Sequence, residues 1–127
     1  MTFAYVDSSC LVALAFGEPG ARKLGARLRR FDRLFSSNLL EAELRSALIR
    51  EGVDGQIKDL LSWLTWVYPD RPPTPEYARI TAAGYLRGAD LWHLANALFL
   101  ALDPNDLCFL TLDSRQREVA RRIGFSA

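Results

Sequence analysis

Cysteine, lysine and long apolar runs are all scarce in this chain of 127 residues, and each scarcity excludes something. The two cysteines, Cys10 and Cys108, lie in separate apolar runs with neither metal-ligand spacing nor a secreted framework around them. That excludes a disulfide scaffold and a thiolate metal centre, and leaves two reduced core residues. No stretch reaches the roughly 18 uninterrupted apolar residues of a membrane span, and the N-terminus carries neither a basic region nor a signal cleavage site. The expectation is a cytoplasmic protein with no membrane partner. Net charge is only +1, so no global field draws the chain to nucleic acid. Of its sixteen cationic side chains, all but Lys23 and Lys58 are arginine. Arginine suits bidentate phosphate contacts, although a genome that favours arginine accounts for the bias equally well.

Half the residues are apolar, enough for one sizeable core, and residues 1–127 read as a single domain. The chain alternates between strand and helix. Residues 3–6 read as a short buried strand, followed by a helix to Phe16 that Ser8 or Ser9 caps and Gly17-Glu18-Pro19-Gly20 ends. Further helices are predicted at about 21–30, 39–50, 55–64, 75–86, 89–102 and 114–123. Strands are predicted at 34–36, 66–68 and 107–111. Pro69 to Pro75 holds four prolines and reads as a loop within one domain. Such alternation points to an α/β fold: a mostly parallel twisted sheet of four to five short strands with helices on both faces.

Four acidic residues stand at strand ends or on the inward face of helices: Asp7, Glu43, Asp90 and Asp113. In an open α/β sheet the carboxyl edge of the strands holds the ligand. Carboxylates gathered there repel one another unless a cation lies between them. Each acid also has a plain structural reading. Asp7 is a potential helix cap, although Ser8 and Ser9 offer alternatives that free its carboxylate. Asn38 and Glu41 resemble a capping box, which gives Glu41 a structural task and favours Glu43 as the functional acid. Glu43 shares a face with Leu39, Leu40 and Ala47. Asp90 suits the first turn of an apolar helix, where the macrodipole favours an acid. Asp113 caps the last helix, with Gln116 as its box partner. His93, three residues after Asp90, reads as a hydrogen-bonded packing residue rather than a general base or ligand.

The segments Tyr5-Val6-Asp7-Ser8-Ser9, Glu43-Leu44-Arg45-Ser46-Ala47-Leu48, Leu86 to Ala95 and Leu110-Thr111-Leu112-Asp113 resemble, in order, the four acidic blocks of PIN domains. The likeness is greatest to VapC-type toxins of bacterial toxin–antitoxin pairs. The resemblance implies a PIN-like three-layer fold and a Mg²⁺- or Mn²⁺-dependent endoribonuclease, usually a homodimer, inhibited by a cognate antitoxin. It assigns Asp7, Glu43, Asp90 and Asp113 to the acidic cluster, with Asp7 and Asp90 as the principal metal ligands. Ser9 and Thr111 match hydroxyl positions behind those ligands. Some relatives carry a further acidic or amide residue one turn after the last Asp; Gln116 and Arg117 stand nearby here, which leaves the metal count at one or two. Arg45, Arg87 and Arg115 are candidates for contacts with RNA phosphates, and Trp63, Trp66 and Tyr68 for a dimer face. Two alternatives compete: a PIN-fold module that binds without cleaving, and a Mg²⁺-binding phosphoreceiver domain. The second lacks a lysine after a late strand, since Lys23 and Lys58 fall in helical segments.

Overall fold

The computed structural model describes residues 1–127. Strands β1 (Phe3–Val6), β2 (Arg33–Ser37), β3 (Leu64–Val67) and β4 (Cys108–Leu110) form one sheet in the order β3-β2-β1-β4, with every pairing parallel. The expected range of four to five strands thus resolves to four. The helices are α1 (Ser8–Phe16), α2 (Ala21–Leu28), α3 (Leu39–Arg50), α4 (Ile57–Leu61), α5 (Thr74–Ala83), α6 (Gly88–Leu100) and α7 (Ser114–Arg122).

Alternation along the strands divides the interior in two, because successive side chains point to opposite faces. Tyr5 and Phe109 face one side, with their rings stacked at 5.5 Å and 7°. They pack with Ile80, Leu94, Leu98, Val119 and Ile123 from α5, α6 and α7. Ala4, Val6, Leu34 and Leu110 face the other side, against Leu11, Leu28, Leu40, Leu44, Leu48 and Leu60 from α1 to α4. The result is three layers, as expected of a parallel sheet buried on both faces. Gly84 allows α5 to close on α7, since a Cβ there would sit 2.9 Å from Val119 Cγ2. The outer edge of β4 is covered by the chain's end, where Phe109 N–H donates to Ser126 O at 2.8 Å.

Several predicted boundaries shift, each for a local reason. The helix expected over 55–64 is a 3₁₀ turn at Asp54–Gln56 followed by the short α4. Leu64 and Thr65 belong instead to β3, because β2 is long enough to pair from Leu34↔Leu64 to Ser37↔Val67. That pairing also moves the third strand to 64–67 and leaves Tyr68 outside it. The 75–86 helix starts at Thr74 and ends at Ala83, ahead of the extended Gly84. The second helix stops at Leu28, and α6 stops at Leu100. No helix is long and apolar enough to cross a membrane.

Strand order marks a candidate edge. β1 sends its chain toward β2 on one side, while β4 pairs on its other side, so the topological switch lies between β1 and β4. Ligands of open parallel sheets bind at such a switch, beyond the carboxyl ends of the strands. Asp7 ends β1, and Thr111 to Asp113 follow β4.

Candidate functional site

Asp7 is the structural centre of this edge. Its backbone N–H continues the β1–β4 ladder to Leu110 O at 2.9 Å, so its position is fixed by the sheet itself. The residue is only 4% exposed. A carboxylate that deep must be compensated, and Oδ2 receives the Ser9 N–H at 3.3 Å, with Thr111 Oγ1 at the same distance. Asp7 is therefore itself the N-cap of α1, a correction to the reading in which Ser8 or Ser9 took that task. The cap uses Oδ2, while Oδ1 lies 3.8 Å from His93 Nε2.

The hydroxyls behind Asp7 form a network. Ser9 Oγ accepts the Leu112 N–H at 3.0 Å and lies 3.5 Å from Thr111 Oγ1. Thr111 Oγ1 accepts the Asp113 N–H at 3.1 Å. Asp113 caps α7 through Gln116 N–H at 2.8 Å. The reciprocal half of the expected capping box is absent, because the Gln116 side chain turns inward. It is fully buried, with Oε1 2.6 Å from Thr111 Oγ1 and Nε2 donating to Asp90 O at 3.2 Å. Gln116 thus ties the Asp113, Thr111 and Asp90 segments together. Its spacing three residues after Asp113 was visible in the sequence, but the capping-box reading sent its side chain to the wrong partner.

Asp90 lies in the first turn of α6, its side chain 22% exposed. Partial burial pushes its carboxyl above the usual carboxylate range, and the nearby charges of Asp7 and Asp113 push it further. Arg87, whose Nε lies 3.9 Å from Asp90 Oδ2, pulls the other way without offsetting them. Three carboxylates from separate elements therefore crowd one edge closely enough to repel.

Glu43, one turn into α3, reaches the same edge through His93. His93 is fully buried, with Nε2 2.5 Å from Glu43 Oε1 and Nδ1 2.8 Å from the Tyr5 hydroxyl. This agrees with its reading as a hydrogen-bonded packing residue. Tyr5 carries no functional signal in the sequence beyond its place two residues before Asp7 in a strand, which puts both on one face. Glu41 points elsewhere: it pairs with Arg45 Nε at 2.8 Å in solvent. The expected Asn38–Glu41 capping box is not formed, because Asn38 already has helical dihedrals and makes no side-chain cap. The preference for Glu43 rests instead on its contact with His93.

Of the three candidate phosphate arginines, two are engaged. Arg45 holds Glu41, and Arg115 donates to Tyr85 O at 2.9 Å with its guanidinium over the Tyr85 ring. Arg87 is 78% exposed and stands beside Asp90. Arg117, not among those candidates, donates to Thr111 O at 2.7 Å. Trp63 and Trp66 are half-buried against the core, and Arg29 covers the Trp63 ring at 5.3 Å, which leaves Tyr68 as the exposed member of that trio.

The carboxyl edge is open. A cleft of about 370 Å³ lined by Asn38, Leu39, Ala42 and Trp92 opens beside the carboxyl end of β2, while a cavity of about 480 Å³ lies between α1, α2 and α4 and one of about 340 Å³ at the opposite strand edge around Phe31 and Trp63. The acidic edge is the candidate site, because none of these cavities gathers carboxylates from separate elements. Such an edge admits a polymer more readily than it encloses a small molecule. No three of the acidic and histidine side chains stand arranged as a ready-made metal cage. The donors nonetheless suit a hard cation that keeps several waters, since they are carboxylate oxygens brought to one edge from separate elements.

A family model described as PIN domain matches residues 4–122. The chain belongs to the PIN-domain family. It is also 33% identical over 128 residues to "Ribonuclease VapC46" of Mycobacterium tuberculosis (strain ATCC 25618 / H37Rv), a match covering 99% of this chain and 96% of that relative. No solved structure gives a significant match. The VapC-type PIN resemblance read from the four acidic blocks is thus borne out, and the phosphoreceiver alternative falls.

Proposed function

We propose that this PIN-domain protein is a Mg²⁺- or Mn²⁺-dependent endoribonuclease, and that Asp7, Glu43, Asp90 and Asp113 form its reactive centre. One arrangement carries the reading: Asp7 at the end of β1, Asp90 in the first turn of α6 and Asp113 at the start of α7 meet at one sheet edge, tied together through the Thr111 and Gln116 side chains. Folding accepts the repulsion among them at the edge where ligands of such sheets bind. The similarity to a protein named as a ribonuclease supplies the substrate class.

Asp7 and Asp90 would hold the cation, with Glu43 and Asp113 beside them. When bound, it lowers the pKa of an attacking water and neutralises charge on the phosphate. The chain's own contribution is orientation. The Ser9 N–H and the β1–β4 ladder aim Asp7, and Gln116 locks the α6 start against the α7 start. The exposed Arg87 is the candidate best placed to meet a flanking phosphate, and such contacts set register along the strand. Arg45 and Arg115 would first have to leave Glu41 and Tyr85.

We also read residues 1–127 as one domain acting in the cytoplasm as the toxin of a toxin–antitoxin pair, with a cognate antitoxin and a second copy of itself as protein partners. Purified protein incubated with total RNA tests the core of this reading. Cleavage is expected with Mg²⁺ or Mn²⁺, none with a chelator, and none from Asp7→Asn or Asp90→Asn. Undiminished cleavage by both variants would overturn the site assignment. Toxicity on expression, relieved by a small DNA-binding protein encoded beside it, tests the pairing.

A further inference from the structure

His93 is the chain's only histidine and is fully buried, yet both ring nitrogens are engaged. Each end of its hydrogen-bond chain has a fixed direction. At one end, Ser37 N–H donates to the Tyr5 hydroxyl oxygen at 3.0 Å, and a backbone N–H cannot accept in return. At the other end, a carboxylate oxygen of Glu43 accepts. Tyr5 has one proton to place, and although the Ser36 and Ser37 side chains lie beside its hydroxyl, the acceptor in hydrogen-bond geometry is His93 Nδ1 at 2.8 Å. Nδ1 is then the acceptor, and Nε2 must carry the hydrogen that faces Glu43 Oε1 at 2.5 Å. The start of the chain is itself anchored, because Trp92 Nε1–H donates to Ser37 Oγ at 3.0 Å and Ser36 Oγ–H donates to Val6 O at 2.8 Å.

We propose that His93 is a positioning residue for Glu43, locked by Tyr5 as the neutral Nε2–H tautomer so that it donates to the Glu43 carboxylate. The proposal rests on the reading of Glu43 as part of the reactive centre. The tautomer does two things there. It pins Oε1 and leaves Oε2 of Glu43 without a protein partner, free to face the edge. It also sets a polarised N–H between Glu43 and Asp7, whose Oδ1 lies 3.8 Å from the same nitrogen. Burial keeps the Tyr5 phenol protonated well beyond neutral pH, as a donor to Nδ1 requires. A histidine whose second nitrogen is fixed by a neighbouring hydrogen bond commonly has its tautomer set that way.

A lone histidine makes the test direct. Long-range proton–nitrogen correlation on ¹⁵N-labelled, metal-free full-length protein at neutral pH reads the tautomer without any activity. The expected spectrum shows Nε2 protonated and Nδ1 unprotonated. An imidazolium, or the Nδ1–H tautomer, would overturn the proposal. Tyr5→Phe retains the ring stacked on Phe109 and removes the donor. It should leave a mixture of tautomers and lower kcat on RNA about tenfold, with KM changed by less than about twofold. His93→Gln, which offers an amide N–H near the Nε2 position, should retain more kcat than His93→Leu at a comparable melting temperature. An unchanged tautomer and kcat in Tyr5→Phe would contradict the relay. Should Tyr5→Phe fail to fold, the wild-type tautomer alone decides. Should the wild type cleave no RNA, the reading of the reactive centre fails, while the tautomer and its response to Tyr5→Phe still judge the relay.

Discussion

Thr111 Oγ1 lies 3.3 Å from Asp7 Oδ2, so the carboxylate that ends β1 is contacted by a hydroxyl 104 positions away. The same oxygen is 2.6 Å from Gln116 Oε1 and accepts the Asp113 N–H. A hydroxyl has one proton, so these acceptors compete for it. The shorter contact favours Gln116, whose amide orientation is fixed by Nε2–H donating to Asp90 O. Thr111→Val keeps the shape and strands the buried Gln116 Oε1 and the Asp113 N–H. We expect a loss of about 1–3 kcal/mol, read from urea unfolding, with a smaller loss for Thr111→Ser. An unmoved midpoint for the valine variant would show that this network contributes nothing to stability.

Asp90 makes metal-free stability depend on pH with a defined sign. Its folded carboxyl is raised above the ordinary range by burial, then by Asp7 and Asp113. The folded state therefore holds this proton more tightly than the unfolded state. The associated stability is fully present below the unfolded pKa and is lost as pH rises through the folded one. At neutral pH, Asp90→Asn should melt about 2 °C higher than the wild type without metal, a modest figure because the site is partly solvated. The gain should shrink toward zero below the carboxylate range. A variant that melts lower at pH 7 would mean that helix-dipole stabilisation of the charge outweighs the repulsion.

Much of this edge was legible from the sequence because its signals are local. Apolar runs ending in Asp7 and near Asp113, and an acid opening α6, are read from a few neighbouring residues. The capping assignments were less legible, because several residues compete for one role and the winner depends on where the sheet holds the backbone. Asp7 outcompeted Ser8 and Ser9 once the β1–β4 ladder fixed its N–H. Gln116 turned inward because Thr111 and Asp90 O, far apart in the chain, meet beside it. The start of β3 was hidden for the same reason: only pairing with β2 converts Leu64 and Thr65 from helix to strand.

Glu41 and Glu43 are neighbours in sequence with opposite surroundings, and substitution should separate them. Glu41 forms an exposed i,i+4 pair with Arg45, of a kind worth about 0.3–0.5 kcal/mol. Glu41→Gln should leave RNA cleavage intact and barely move the melting point. Glu43→Gln keeps an oxygen to accept from His93 but removes the charge. Its cleavage rate should fall at least about a hundredfold, more than typical outer-shell losses, with the fold retained by circular dichroism. Equal effects of the two substitutions would contradict the assignment of Glu43.

A divalent cation that binds only the folded protein must raise its melting temperature by mass action. At a hundred times the dissociation constant the gain is about 2.7 kcal/mol, or about 10 °C for a chain of this size. Asp7→Asn isolates the carboxylate's part in that gain. Asparagine is among the best N-caps, so α1 keeps its cap while the buried negative charge is gone. We expect the variant to fold, to melt no lower than the wild type without metal, and to lose most of the rise on adding Mg²⁺ or Mn²⁺. Calorimetric scans with and without metal, resolved to about 1 °C, measure all three quantities. A wild type that melts unchanged at saturating metal would mean that the crowded carboxylates hold no cation, and Asp7→Asn with the full rise would move the binding site away from β1.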